Sequence, residues 1–419
     1  LQVDRFYIHA ADTQPKLDNS SWWESLAHET ERLYYSFIID YNKVGNVAEG
    51  DTENVVLTLW IGTGRDQANV IKSLIDEKFT PATGISVNVQ LVDMNTLLRA
   101  TLAGEGPDVA IQVANTNGIA GAVLNTGNDT PVNYGLRNAV LDLTQFEDFP
   151  EIAKRFNESA IIPFSFDGAT YALPDTQTWL MMFYRKDVLS ELGFTQAPQT
   201  WEDLIDMLPA LQRNYMSAGL VLPAVAADAN QATISAATES GLTFASLLLQ
   251  RGENYYNAAQ TETTFNTNAA IDAFEMWTDF YTKYDFDQQY DAFSRFRTGE
   301  YPIVVSDYCT FFNQLAVAAP EIDGLWGFAP IPGTLREDGT ISHAVNSNNT
   351  GAVIFNKVDK KTNGLENAWT FLKWFCSTDV QVEYGTQIEG LLGQMGRYAT
   401  ANTEALTQLA WSTDEANTI

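Results

Sequence analysis

The stretch Val55–Gln67 reads VVLTLWIGTGRDQ. Hydrophobic residues alternate up to Trp60, give way to Gly62-x-Gly64, and are followed at once by a helical pattern. A strand that delivers the chain through a glycine loop to a helix N-terminus leaves backbone N–H groups open to a small, oxygen-rich partner. Outward from it, a helix is predicted from Asp66 to Phe79, with Val70, Ile71, Leu74 and Ile75 as its core stripe. Pro81 and Gly84 should break it. Ile85, Val87, Val89 and Leu91 alternate as a half-buried strand. Leu97, Leu98 and Leu102 mark a second helix, and Val109–Val113 a third strand beyond the turn at Gly104–Asp108. Such βαβ alternation predicts a mostly parallel sheet with helices on both faces.

The chain has 419 residues, enough for two or three domain-sized units. A net charge of -29 would repel a phosphate backbone, which argues against a nucleic-acid partner. No apolar run reaches the length of a membrane span. Cys309 and Cys376 lie in apolar or aromatic settings and read as buried free thiols, with a disulfide between them left open. The chain begins at Leu1 with neither an initiator methionine nor a leader, so a processed form is expected, with a signal sequence upstream and more chain downstream. Residues 1–53 form a preface: an amphipathic helix carrying Trp22, Trp23, Leu26, Leu33, Phe37 and Ile38, then a polar linker.

Later segments continue the mixed pattern. FDGATYALP turns at Asp167-Gly168 and runs extended into Pro174. Residues 179–185 form a strand that is apolar and aromatic up to its last residue, Arg185, and is expected to be covered on both faces. Thr200 and Asp203 make a capping-box-like start to a long helix that Pro209 should kink. Further helices are predicted at 242–249, 270–284, 290–298, 367–376, 379–387 and 403–410, with a strand at 301–306.

Four segments, in order, resemble the extracellular solute-binding proteins of ABC importers, specifically the family-1, maltose-binding-protein-like carbohydrate binders. They are VVLTLWIGTG, AGEGPDVAIQVAN, DGATYALPDTQTWLMMFYRKDVLSELG with PQTWEDL, and FRTGEYPIVVSDY. The resemblance covers about Asn54 to Ala410. It implies an α/β, two-lobed periplasmic-binding-protein-like (type II) fold with a multi-crossing hinge. One lobe would take 54–173 and 307–346, the other 178–305 and 351–411. Crossings would fall near 174–177, 305–307 and 347–350. It further implies a binder rather than an enzyme: a carbohydrate held in the cleft and passed to membrane permease subunits. The protein would be a monomer, extracellular, and either lipid-anchored or periplasmic. No cofactor or metal is implied.

A sugar site needs aromatic faces for stacking and planar amides or carboxylates for paired hydrogen bonds, on loops at the carboxyl ends of strands. After the first strand come Thr63, Gly64, Arg65 and Asp66, and after the third Asn115, Thr116 and Asn117. Asp175, Gln177 and Trp179 sit at the first implied crossing, and Asn346 and Asn348 at the third. Glu239 precedes the helix carrying Leu242 and Phe244. Asp307 and Tyr308 follow the return strand, where the resemblance places a stacking aromatic at Tyr308. Gln394 and Arg397 lie in the late GLLGQMGR loop. The bland readings are helix caps, polar turns and core packing.

Two rivals remain at this level. A hydrolase would need a carboxylate pair, and no spacing among the 53 acidic residues singles one out. The same fold could hold another small solute. The three histidines, His9, His28 and His343, lack metal-ligand spacing, and Gly62-x-Gly64 lacks the remainder of a dinucleotide loop or P-loop.

Overall fold

The computed structural model describes residues 57–92, 94–114, 131–220, 235–257, 261–287, 290–358 and 363–419. The preface and Asn115–Asn117 lie outside them. The opening stretch forms β1 (Leu57–Ile61) and helix α1 (Arg65–Leu74). α1 passes into a wider turn at Ile75–Phe79 and a last turn at Thr80–Thr83, ending on left-handed Gly84. Pro81 therefore does not break the helix. It sits in the first turn of the final segment, where its missing N–H costs little. Then follow β2 (Val87–Leu91), α2 (Leu97–Ala103) and β3 (Val109–Ala114). Both β2 and β3 pair with β1 in parallel, as the βαβ pattern predicts.

The long strand β4 (Leu173–Arg185) runs through the predicted crossing at 174–177 without interruption. Beyond it lie α3 (Trp201–Arg213), β5 (Ala218–Gly219), α4 (Ser235–Gln250) and α5 (Asn268–Thr282). Thr200 and Asp203 form the anticipated reciprocal cap of α3, and Pro209 is carried inside that helix. Next come β6 (Ile303–Asp307), α6 (Tyr308–Ala318), β7 (Trp326–Pro330), β8 (Ser347–Ile354), α7 (Gly364–Phe375) and α8 (Thr378–Leu392). Cys309 and Cys376 are buried free thiols.

One eight-stranded sheet has the order β2-β1-β3-β8-β4-β6-β5, with β7 paired to β4 as well. β4 is the seam. Its residues 173–179 pair with β8, and its residues 180–185 pair with β6 and β7. Each half of the sheet is covered on both faces. In the first half, Leu59, Ile61, Val109, Ile111 and Ile354 face α1, α7 and α8. Trp60, Ala110, Val113 and Val353 face Tyr134 and Phe164. In the second half, Leu180, Met182, Ile303 and Val305 meet Trp201 and Leu204 of α3. Met181, Phe183 and Val304 meet Phe311, Phe312 and Leu315 of α6. The period-2 alternation of a strand makes this two-sided packing possible.

That packing corrects the lobe boundaries. Residues 307–346 do not return to the first lobe, because α6 buries its apolar stripe against Met181 and Phe183 of the second. The reverse holds for 351–402, where Ala352, Ile354, Trp369, Phe371, Tyr384 and Ala401 enter the first core. The chain end goes back, with Leu409 and Trp411 in the second lobe. Consequently 305–307 is no crossing. The third crossing is at 399–401, where Gln177 N–H donates to Ala399 O (3.0 Å) and Ala401 N–H donates to Asp175 O (3.0 Å).

Candidate functional site

The carboxyl ends of β3 and β6 reach the seam between the lobes, where Ala114 pairs with Thr350 and Asp307 with Leu180. Gly64 allows the first loop: its φ of 151° and ψ of 167° lie in a region essentially restricted to glycine. It starts α1 with no side-chain cap, which leaves the first-turn N–H groups beside Thr63, Arg65 and Asp66, all exposed. Beneath this lip, the buried Tyr384 hydroxyl lies close to Thr63 and receives a bond from Gln112 Nε2 at 3.4 Å.

The second wall is built around Trp179. Its half-buried ring packs against Tyr308, with centroids 4.7 Å apart and planes inclined at 38°. Ser347 pairs with Trp179 across the strands, and Asn348 with Thr178. Thr178 Oγ1 donates to Asn348 O at 3.4 Å, and burial pushes the nearby Asp307 carboxyl above the usual carboxylate range. Asp307 Oδ1 accepts from Thr310 N at 2.9 Å and so caps α6. Asn346 and Asn348 are half-buried on the approach to and within β8.

Several predicted contacts are structural instead. Tyr308 is only 1% exposed, wedged between Trp179 and Trp411, so it has no free face for a sugar. It packs behind the half-buried ring of Trp179. Asp175, also 1% exposed, accepts from Gln112 N at 2.6 Å and from Thr350 Oγ1. Gln177 is buried at the third crossing and donates its amide to Ser159 Oγ at 3.3 Å. Arg397 is committed to Glu389 at 3.1 Å, with its guanidinium over the rings of Trp411 (4.7 Å) and Phe312 (5.2 Å). Gln394 is exposed nearby, beside a cavity of about 690 Å³ lined by Trp326 and Phe328 on the second lobe. Glu239 falls within α4 rather than ahead of it. For Asp175 and Gln177 the cause is that polar residues at strand crossings satisfy one another before they can serve a ligand.

The model of one protein family, described as bacterial extracellular solute-binding protein, matches residues 75–418. The chain belongs to this family. Its members are binding proteins that work outside the cell. No curated protein gave a match. Among solved structures, the extracellular solute-binding protein of Staphylococcus aureus in complex with maltose is similar, at 16% identity and a TM-score of 0.63. That match covers 88% of this chain and 85% of the other. An ABC transporter solute-binding protein of Thermotoga lettingae bound to α-D-tagatose has 18% identity and a TM-score of 0.59, covering 87% and 86%. UgpB of Mycobacterium tuberculosis in complex with glycerophosphocholine has 17% identity and a TM-score of 0.57, covering 81% of each chain. At these identities the likeness establishes the two-lobed α/β fold of this solute-binding protein.

Two residues at its lip escaped the sequence reading. Gln112 interrupts the apolar run VAIQVA, a signal that a strand irregularity places a polar side chain there. Tyr384 lies in the middle of α8, and no local pattern connects it to Thr63, more than 300 residues away.

Proposed function

We propose that this solute-binding protein holds a carbohydrate, an oligosaccharide in particular, between its lobes and delivers it to the permease subunits of an ABC importer. The observation that carries the reading is Trp179. An indole ring, backed by buried Tyr308 and flanked by Thr178, Asp307 and Asn348, offers a stacking face beside polar groups. Sugars present that pairing of an apolar ring face with equatorial hydroxyls. The uncapped α1 start with Thr63 and Asp66 supplies donors and acceptors from the other lobe. The complexes of similar proteins with maltose and tagatose support the ligand class.

The protein acts as a carrier rather than a catalyst, needs no cofactor, works as a monomer, and resides in the periplasm or on a lipid anchor at the cell surface. The glycerophosphocholine complex of a similar structure favours one second reading, a polyol-containing solute other than a sugar.

A thermal-shift screen of mono- and oligosaccharides against glycerophosphodiesters separates the two, because a ligand that binds only the folded protein raises its melting temperature. Replacing Trp179 with Ala is expected to weaken sugar binding roughly tenfold by calorimetry, the equivalent of about 1.4 kcal/mol. Undiminished affinity in that variant removes Trp179 from the site and with it the main support for a sugar.

A further inference from the structure

At the seam, β8 is flanked by two bulges at the same level. On β3, Val113 pairs with Gly351 and Ala110 with Val353, so Ile111 and Gln112 together oppose the single residue Ala352. Gln112 sits at φ 59°, a left-handed conformation uncommon outside glycine. The alternation of β3 accordingly breaks there: Val109 and Ile111 face one core, Ala110 and Val113 the other. On β4, Thr176 pairs with Thr350 and Pro174 with Gly351, which makes Asp175 the extra residue. Gly351 lies between them with no room for a side chain, since a Cβ would sit 2.9 Å from Ala172 Cβ.

One carboxylate joins both irregularities. Asp175 Oδ2 accepts from Gln112 N at 2.6 Å, and Oδ1 accepts from the Thr350 hydroxyl of β8. The connection continues outward. Gln112 Nε2 donates to Tyr384 OH at 3.4 Å, and that hydroxyl lies beside Thr63 in the lip, in contact rather than hydrogen-bonded. It also closes on itself, because Tyr398 OH donates to the Asp175 carbonyl at 3.1 Å.

Resting on the reading of the seam as the ligand site, we propose that ionised Asp175 is a positioning residue for solute capture. Its carboxylate holds the Gln112 bulge and, through Gln112 and Tyr384, the Thr63 lip in the geometry that grips the solute. Protonation relaxes that hold.

The chemistry is a contest between two effects. An N–H bond to a carboxylate is stronger than one to a neutral acid. Burial opposes the charge and pushes this carboxyl up to about 6. The neutral form keeps its contacts: an Asp175 O–H can donate to Thr350 Oγ1, whose own proton can turn to Thr176 Oγ1. Loosening is therefore local. The titratable groups packed around Asp175 are Tyr384 of α8, Tyr398 beyond it and Cys376 at the end of α7, all pushed up by burial and so neutral. Arg155 faces Cys376 and donates Nη1 to Lys373 O at 2.7 Å. Asp307, on the second lobe, is pushed up by its own burial.

Asp175→Asn is the test, because an amide can accept from Gln112 N and donate to Thr350 Oγ1 without the charge. Two measurements on the full chain are read together. In proton–nitrogen spectra, the Gln112 and Thr63 amide shifts should titrate together in the wild type, with a midpoint of about 6, and not in the variant. In calorimetry, the wild type should lose roughly fivefold more affinity than the variant between about pH 7.5 and about pH 5 for whichever of maltose, maltotriose or tagatose binds tightest. Equal affinities of the two proteins across that range overturn the proposal. So does a Thr63 amide indifferent to a titrating Gln112. Absence of heat with every sugar counts against the carbohydrate reading, and the paired amide shifts then decide the positioning role alone.

Discussion

The two ends of β4 are held by opposite means. From Pro174 to Gln177 the strand carries buried or half-buried polar groups, each bonded across the seam: Asp175 to Gln112 and Thr350, Thr176 to Thr350, and Gln177 to Ala399 and Ser159. From Leu180 to Phe183 it carries only apolar side chains, shared alternately between two cores. Apolar burial is strong and non-directional, and fixes which lobe a segment joins. Polar bonds in a buried seam are weak in net terms but directional, and fix the registry of three strands at the seam between the lobes.

This contrast can be broken most severely at the apolar end. Phe183 is fully buried, with Phe311 at 4.8 Å and Phe328 at 5.8 Å between centroids. Phe183→Ala should destabilise the fold by about 3–5 kcal/mol in urea titrations, from lost burial plus the cavity left behind. A change below about 1 kcal/mol would mean the second lobe does not depend on this core.

At the polar end the sign reverses. The Asp175 carboxyl is raised from 3.8 to about 6 by burial, so the folded state binds its proton more tightly than the unfolded chain does. Its contribution is most favourable below pH 3.8 and is lost as pH rises through about 6. Asp175→Asn lacks this penalty. Its stability relative to wild type should therefore climb by about 3 kcal/mol between about pH 4 and about pH 7 and then level off. A difference that stays constant with pH would show the carboxylate to be better solvated or paired than its burial implies. A smaller effect tests the periphery: Thr200→Ala removes one half of the α3 capping box and should cost about 1 kcal/mol, measurable as a lower urea midpoint.

Legibility followed the same division. The βαβ opening, the α3 cap and most helices could be read because periodicity and capping act over a few residues. Pro81 misled because its effect depends on where in a turn it falls, and the helix was able to restart there. The stripe of α6 predicted a helix but not its lobe: Phe311, Phe312 and Leu315 would suit either core, and only the position of Phe183 and Met181 decides. Tyr308 and Trp179 show the same limit within one site. Both are aromatic and both lie at the end of a strand, yet one is wedged under the other. Asp175 and Arg397 were polar residues at the right places in the chain whose partners, Gln112 and Glu389, consumed their bonding capacity.

The sequence by itself determined the strand–glycine–helix opening, the mixed α/β class, the acidic surface and the order of segments that marks a two-lobed solute binder. These depend on local periodicity and on composition. Tertiary structure alone decided that 307–346 joins the second lobe, that the last crossing lies at 399–401, and that Trp179 rather than Tyr308 presents a ring at the seam. Burial and hydrogen-bond satisfaction are settled between residues far apart in the chain, and no window of sequence contains both partners.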